Sequence, residues 1–206
     1  MDPRLLGTAT AFGLAASAGL NTTLPLLLIG LLARFGLLGL TPPYDALTSN
    51  VALGSLGVLA LLEIVGDKVP ALDTAVQTLQ WPLAAAAGAI LFASQSSVVS
   101  WVSPDLAILV GLLTAGGVHG ARVAVRPAVT ALTAGLGNAA VSTAEDAFAV
   151  TLAATSVLAP GVGLVLLAAL IVVGIALGRL AVRGGWRMIR GPRRRSTGSG
   201  FPSTGP

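Results

Sequence analysis

Apolar runs of about 20 residues recur along the chain, and short turns rich in proline, glycine and serine separate them. Helices of that length cross the hydrocarbon core of a bilayer. The pattern therefore predicts an all-α polytopic membrane protein with about six transmembrane helices. The expected spans are residues 5–40, 47–66, 82–102, 106–121, 139–159 and 162–182.

Residues 68–81 follow a different, amphipathic pattern. Pro70 suits the first turn of a helix. Three apolar side chains then fall on one face at helical spacing, namely Leu72, Val76 and Leu79. With Trp81 at its end, this segment is expected to be a short helix lying in the membrane interface.

Two interrupted apolar stretches, residues 13–24 and 111–122, resemble one another. Their alignment pairs Gly13 with Gly111, Gly19 with Gly117, and Asn21 with His119. Matched interruptions in two halves of a membrane protein indicate a transporter-type binding site near the bilayer midplane.

The first span is longer than a bilayer requires. A straight helix over residues 5–40 would be about 50 Å long, so we expect a break, a strong tilt or a re-entrant excursion around residues 19–25. The matching interruption falls at residues 116–120. By symmetry, residues 128–142 either continue that helix or dip back into the membrane.

The internal similarity predicts two membrane repeats, residues 1–104 and 105–190, followed by a disordered cytoplasmic tail, residues 191–206. Each repeat would contain three spans and begin with a broken or re-entrant helix. Because an odd number of spans reverses the chain, the two repeats are expected to be inverted copies.

Composition supports the membrane class. Hydrophobic residues make up 54% of the chain and charged residues 10%, where soluble domains carry about 25% charged residues. The mean hydropathy is +0.88. The net charge is +4, and seven of the twelve basic residues are arginines from Arg179 onward. This is the pattern of a cytoplasmic anchor and not of a nucleic-acid site.

These charges predict a multi-pass protein of the bacterial cytoplasmic (inner) membrane, with both termini cytoplasmic. Arg4 would lie inside, and Arg34 alone among the basic residues would lie outside. A cleaved signal peptide is the alternative for the N-terminus, because residues 16–18 imitate a cleavage site. The apolar pattern continues beyond that point to Leu40, which favours a mature first span.

The chain has no cysteine and one histidine, His119. These counts exclude disulfides, thiolate metal sites and a multi-histidine metal site within one chain. No serine–histidine or paired-histidine motif is visible, so we expect neither enzymatic activity nor a cofactor.

Ionisable residues inside a membrane are costly, so each is a candidate for function. The candidates are Glu63, Asp67, Lys68, His119, Arg122, Arg126, Glu145 and Asp146. Glu63 and Asp67 are four residues apart and share a helical face. The carboxylates either hold a cation or carry a proton, or they neutralise the nearby lysine and arginines in structural ion pairs.

His119 and Asn21 occupy matching places at the two interruptions. An unperturbed imidazole titrates near neutral pH, and the neighbouring Gly117 and Gly120 would leave backbone groups open to a ligand. A histidine bonded to a neighbouring helix is the alternative. Asn21 either caps a half-helix or contacts a substrate through its amide.

Four short motifs resemble one known family. They are Ala18-Gly19-Leu20-Asn21, Glu63-Ile64-Val65-Gly66-Asp67-Lys68-Val69-Pro70, His119-Gly120-x-Arg122 and Ser142-x-x-Glu145-Asp146. Over residues 8–185, approximately, the chain resembles the bacterial membrane family catalogued as domain of unknown function 4126. The resemblance implies a small polytopic protein and supplies no established activity.

The motif from Glu63 to Lys68 is also similar to the Glu-x-Gly-Asp-Lys signature of cation/proton exchangers built from inverted three-helix repeats. The spacing here has one additional residue, and Ala153 and Val157 stand where a repeated Glu and Asp would fall. This similarity implies a shared architecture only.

The leading hypothesis is a small secondary transporter or channel for an ion or small solute, with or without proton coupling. Its site would lie at the two helix breaks, beside Glu63 and Asp146. One alternative is a lipid flippase or lipid-binding protein whose Arg122 and Arg126 hold a phosphate headgroup. The other is a structural subunit in which every ion is paired. Six spans form a thin wall around a pathway, which favours a homodimer.

Overall fold

The computed structural model describes residues 2–66, 70–95, 100–133 and 137–189. Over these residues the fold is all-α, which confirms the helical part of the predicted fold class. Its helices are α1 (Pro3–Leu20), α2 (Thr23–Arg34), α3 (Asn50–Gly66), α4 (Pro70–Ala93), α5 (Pro104–Thr133), α6 (Gly137–Leu158) and α7 (Pro160–Ile189), with a short 3-10 helix (Tyr44–Thr48) before α3.

Prolines mark the starts of four helices. Pro3, Pro70, Pro104 and Pro160 are each the first residue of a helix, a position where a backbone N–H would lack an intrahelical partner in any case. Asp2 caps α1, where its carboxylate accepts a hydrogen bond of 2.9 Å from a backbone N–H.

The predicted interruption of the first apolar segment is confirmed at Asn21 and Thr22, between α1 and α2. Asn21 has an extended backbone, with φ −139° and ψ 129°. Pro25 accounts for the break, because in a continuous helix its ring would collide with the carbonyl of residue 21. In the first turn of α2 the same proline is tolerated.

After the break the chain turns back along the bundle. Thr23, at the start of α2, is hydrogen-bonded to Glu63 near the end of α3. Arg34, at the end of α2, is hydrogen-bonded to Asn50 at the start of α3. After α2, Leu40 forms an isolated antiparallel β-bridge with Gln95, which follows α4. Of the three forms expected for the first segment, the structure has the re-entrant one.

Helix α1 lies at the centre of the bundle. Helices α4, α5, α6 and α7 pack around it, and α2, paired with α3, packs against α6. Residues 13–20 of α1 are all buried. The rings of Phe12 and Phe92 meet edge to face at 5.1 Å, which places the middle of α1 beside the end of α4.

Helices α1 and α5 run in the same direction. Ala11 shares a core cluster with Ala107, near the start of α5. A side chain at Gly19 would contact Ala115 and Val118, further along α5. Inverted repeats would make these two matching segments antiparallel, so the prediction of inverted three-helix repeats is wrong. Within the described residues, the re-entrant turn also places four α-helices before α5.

The predicted second break is also wrong. Helix α5 is continuous from Pro104 to Thr133 and includes residues 116–120. Its glycines are tolerated because tertiary packing outweighs their weak helix propensity. Of the two forms expected for residues 128–142, the continued helix is therefore observed as far as Thr133.

Helix α4 differs from the expected interfacial helix followed by a span. It is one helix from Pro70 to Ala93 with Pro82 in its interior. Residues 67–69, the side chains of residues 70–79 and the tail from residue 190 lie outside the described part of the chain.

Successive helices along the chain alternate in direction, so the bundle has two ends. The first end holds the starts of α1, α3, α5 and α7, and the second end holds the starts of α2, α4 and α6. The beginning of α1 and the far part of α7 thus lie at opposite ends. A six-span arrangement would place both at one end, and the difference arises because the re-entrant turn adds one helix.

Two stretches of the described helices are long and apolar enough to cross a membrane, Pro104–Pro127 in α5 and Pro160–Arg179 in α7. Shorter apolar helices are Thr23–Arg34, Asn50–Gly66 and Gln80–Ala93. Large apolar side chains are exposed along α3 and α7, among them Val58, Leu61, Val165 and Val172.

Candidate functional site

The start of α2 is capped by two side chains, that of Asn21 in the break and that of Glu63 on α3. The Asn21 side-chain oxygen accepts hydrogen bonds from the backbone N–H groups of Thr23, at 3.1 Å, and Leu24, at 2.8 Å. Glu63 accepts from the backbone N–H groups of Thr22, at 2.9 Å, and Thr23, at 3.1 Å. The Thr23 hydroxyl donates to the same carboxylate at 2.6 Å. The N–H groups left unpaired by the break therefore have acceptors.

The end of α1 is capped by a cation. Arg122 Nη1, on α5, donates a hydrogen bond of 2.8 Å to the backbone carbonyl of Leu20. A guanidinium at a helix C-terminus and a carboxylate at a helix N-terminus both have the sign that the backbone dipoles favour. Arg122 and Glu63 thus stabilise the two sides of the same break.

Two arginines converge on one carboxylate oxygen. Arg122 Nε and Arg126 Nη2 lie 2.7 Å and 2.9 Å from Oε2 of Glu145. The arginines are four residues apart, so they share one face of α5. We call these three residues the Arg–Glu–Arg cluster. Both arginine side chains are buried, whereas that of Glu145 is 18% exposed.

The neighbouring carboxylate on α6 has a different partner. Asp146 Oδ1 accepts a hydrogen bond of 2.9 Å from the Asn21 side-chain amide. Consecutive residues of a helix point about 100° apart, and here Glu145 turns to the arginines while Asp146 turns to the break. Asn21 therefore joins α6 to the junction between α1 and α2.

A cavity of about 710 Å³ lies beside the Arg–Glu–Arg cluster, between α5, α6 and α7. We call it the α5–α7 groove. Among the described residues, its charged lining consists of Arg122, Arg126 and Glu145, and the other lining residues are apolar or glycine. Ile171 and Val173 on its α7 wall are about half exposed, so the groove opens at the side of the bundle.

The structure brings together six of the residues that the sequence nominated: Asn21, Glu63, Arg122, Arg126, Glu145 and Asp146. His119 is fully buried on the face of α5 that carries both arginines and does not line the groove. Asp67 and Lys68 lie outside the described residues. The roles of these residues in function stay predictions.

Sequence reasoning missed the backbone of Thr22 and Thr23, which Glu63 binds, and the α7 wall of the groove. The signal for the first was the polar Asn-Thr-Thr run directly before Pro25, which is typical of a helix start. No comparable signal marks the α7 wall, since its valines and isoleucines look like any lipid-facing span.

Comparisons with known proteins place the chain in one family. No curated protein and no solved structure matches it. A family model described as Domain of unknown function (DUF4126) matches residues 8–179, a range that includes the helix break, the Arg–Glu–Arg cluster and the groove. The chain therefore belongs to the DUF4126 family, as its motifs predicted.

Proposed function

We propose that this chain is a multi-pass protein of the bacterial cytoplasmic membrane that binds the hydrocarbon chain of a membrane amphiphile in the α5–α7 groove. The observation that carries the proposal is the groove itself, whose walls are apolar except for the Arg–Glu–Arg cluster. Its volume is in the range of small-molecule sites, about 300–1,000 Å³.

Exposed apolar surface supports the membrane location. Side chains such as Val58, Leu61 and Val172 are more than half exposed, and exposed apolar area of this extent is unfavourable in water. A bilayer removes that cost, and the helical backbone satisfies its own hydrogen bonds there. The arginine-rich tail supports a cytoplasmic second end.

The lateral opening supports an amphiphile over a water-soluble ligand. Half-exposed isoleucine and valine side chains of α7 form one wall, so the groove would face acyl chains in a bilayer. A hydrocarbon chain could enter from the side without crossing water.

The ion-pathway hypothesis has less support from the geometry. It nominates Glu63 and Asp146 as the conducting carboxylates. Both accept hydrogen bonds from the α1–α2 junction, so each already stabilises the break. Transport through the junction stays a prediction from the sequence. The groove favours the other hypothesis drawn from the sequence, a lipid-binding protein.

Filling the groove tests the proposal. Ala144 on α6 lines the groove and Ala147, less than one turn further, does not; both are exposed. We expect wild type and Ala147→Trp, purified in a neutral detergent, to retain co-purified lipid in native mass spectrometry. Ala144→Trp should lose it, because the indole occupies the space of the chain. Equal lipid retention by the two variants would overturn the proposal.

A further inference from the structure

We infer that the amphiphile of the α5–α7 groove carries an oxyanion at its polar end, and that Glu145 is the built-in competitor for that oxyanion and sets the headgroup selectivity. The inference rests on the proposed groove. It adds the chemical class of the ligand, a carboxylate or phosphate bearing a hydrocarbon chain.

The geometry around Glu145 specifies a single anionic oxygen. N–H groups from two different arginines point at the same atom, Oε2, at 2.7 Å and 2.9 Å. Charge-assisted bonds of this length are about twice as strong as neutral ones. Any oxyanion that enters beside Glu145 meets two guanidinium groups already oriented toward one point.

The three members of the cluster differ in their freedom to move. The side chain of Glu145 is 18% exposed, against 3% for Arg122 and 6% for Arg126. Arg122 is also held by its bond to the Leu20 carbonyl. Glu145 is therefore the member that can swing aside while both arginines keep their positions.

The charge of the groove lining selects the sign of the ligand. Among the described lining residues, the charged ones are two arginines and one glutamate. The nearby carboxylates Glu63 and Asp146 face the junction, where the α2 backbone and Asn21 bind them. An anionic headgroup can accept the same arginine hydrogen bonds that Glu145 accepts, whereas a cationic headgroup beside the two guanidinium groups would be repelled.

The experiment uses the full chain in dodecyl maltoside micelles, with dodecyl phosphate, dodecanoate and dodecyltrimethylammonium as probes of equal chain length. Binding is measured by native mass spectrometry, and inorganic phosphate is titrated separately as a headgroup without a chain. We expect both anionic probes to bind at least about tenfold more tightly than the cationic probe, the scale of one charge-assisted hydrogen bond.

Variants assign the selectivity to the cluster. Glu145→Gln should raise the affinity for dodecyl phosphate about tenfold, because the competing charge is gone. It should also lower the melting temperature in the absence of the probe, with recovery when dodecyl phosphate is added. Asp45→Asn removes the same charge from an exposed site outside the groove and should change neither property. Arg126→Gln should abolish the anionic preference, and Arg126→Lys should retain part of it.

Each other outcome has a distinct meaning. Equal binding of all three probes would overturn the oxyanion inference and leave the groove proposal standing. Competition by inorganic phosphate at the concentration of dodecyl phosphate would show a site for a free anion and overturn the amphiphile class. Failure of every chain-bearing probe to bind would overturn the groove proposal, and this inference with it.

Discussion

At the scale of single residues, the α1–α2 junction is stabilised by matched charges. Glu63 accepts bonds from the positive end of α2, and Arg122 donates to the negative end of α1. A buried carboxylate is costly without partners, and Glu63 has three donors from Thr22 and Thr23. Helix capping by these donors accounts for its position.

Glu63→Gln should therefore destabilise the protein. The amide keeps the volume of the side chain but removes the charge and one acceptor, and its NH2 group would face backbone N–H donors. We expect a loss of about 2 kcal/mol, measured as a lower melting temperature in detergent. The control is Asp45→Asn, because Asp45 is exposed, and this variant should leave the melting temperature unchanged. An unaltered melting temperature in Glu63→Gln would argue for a pathway carboxylate instead.

At the scale of helices, glycines bring α4 and α5 into close contact. A Cβ atom at Gly111 would lie 2.7 Å from the Phe92 Cβ and 2.8 Å from the Ala89 Cα. A Cβ atom at Gly88 would lie 2.7 Å from the Gly111 carbonyl oxygen. These positions need glycine because a neighbouring backbone occupies the space, and backbone cannot move aside as a flexible side chain can.

Substituting two glycines of α5 separates packing from helix propensity. Gly111→Ala should destabilise the bundle by about 1–3 kcal/mol, since the methyl group forces α4 and α5 apart. Gly120→Ala adds a methyl group where no atom lies within 4 Å and should stabilise by up to about 1 kcal/mol through helix propensity. Melting temperatures of the two variants in the same detergent provide the measurement, and equal shifts of one sign would contradict the close packing.

At the scale of the whole molecule, the re-entrant turn determines the side on which the chain begins. Because successive helices alternate in direction, Asp2 and Asp45 lie at the first end of the bundle and Thr133 lies at the second end. The arginines that follow Arg179 and the positive-inside rule favour a cytoplasmic second end. The proposed membrane orientation thus puts Asp2 outside, where a six-span chain would put it inside.

Thiol labelling in intact cells distinguishes the two arrangements, and the absence of native cysteine makes single substitutions clean reporters. Asp2→Cys and Asp45→Cys should react with an impermeant maleimide, and Thr133→Cys should react only after permeabilisation. All three positions are exposed, so protection reports sidedness and not burial. Protection of Asp2→Cys together with Thr133→Cys would restore the six-span topology.

Sequence sufficed for features that depend on a few neighbouring residues. Helix starts at proline and the break before Pro25 follow from local sterics and from unpaired backbone groups. The polar residues that converge at the break were also identifiable, because an ionisable or amide side chain within an apolar segment needs a partner. The family motifs contain most of these same residues.

Only the tertiary structure decided how distant residues pair. Glu145 and Asp146 are adjacent in sequence, yet one binds Arg122 and Arg126 and the other binds Asn21. The glycine-rich segment of α5 resembles that of α1 in sequence, but packing against α4 keeps it helical. The first segment breaks because packing cannot remove the steric clash of Pro25 in a continuous helix. The return of α2 and the wall formed by α7 likewise depend on contacts between helices, whose energies are set by distance through space and not by separation along the chain.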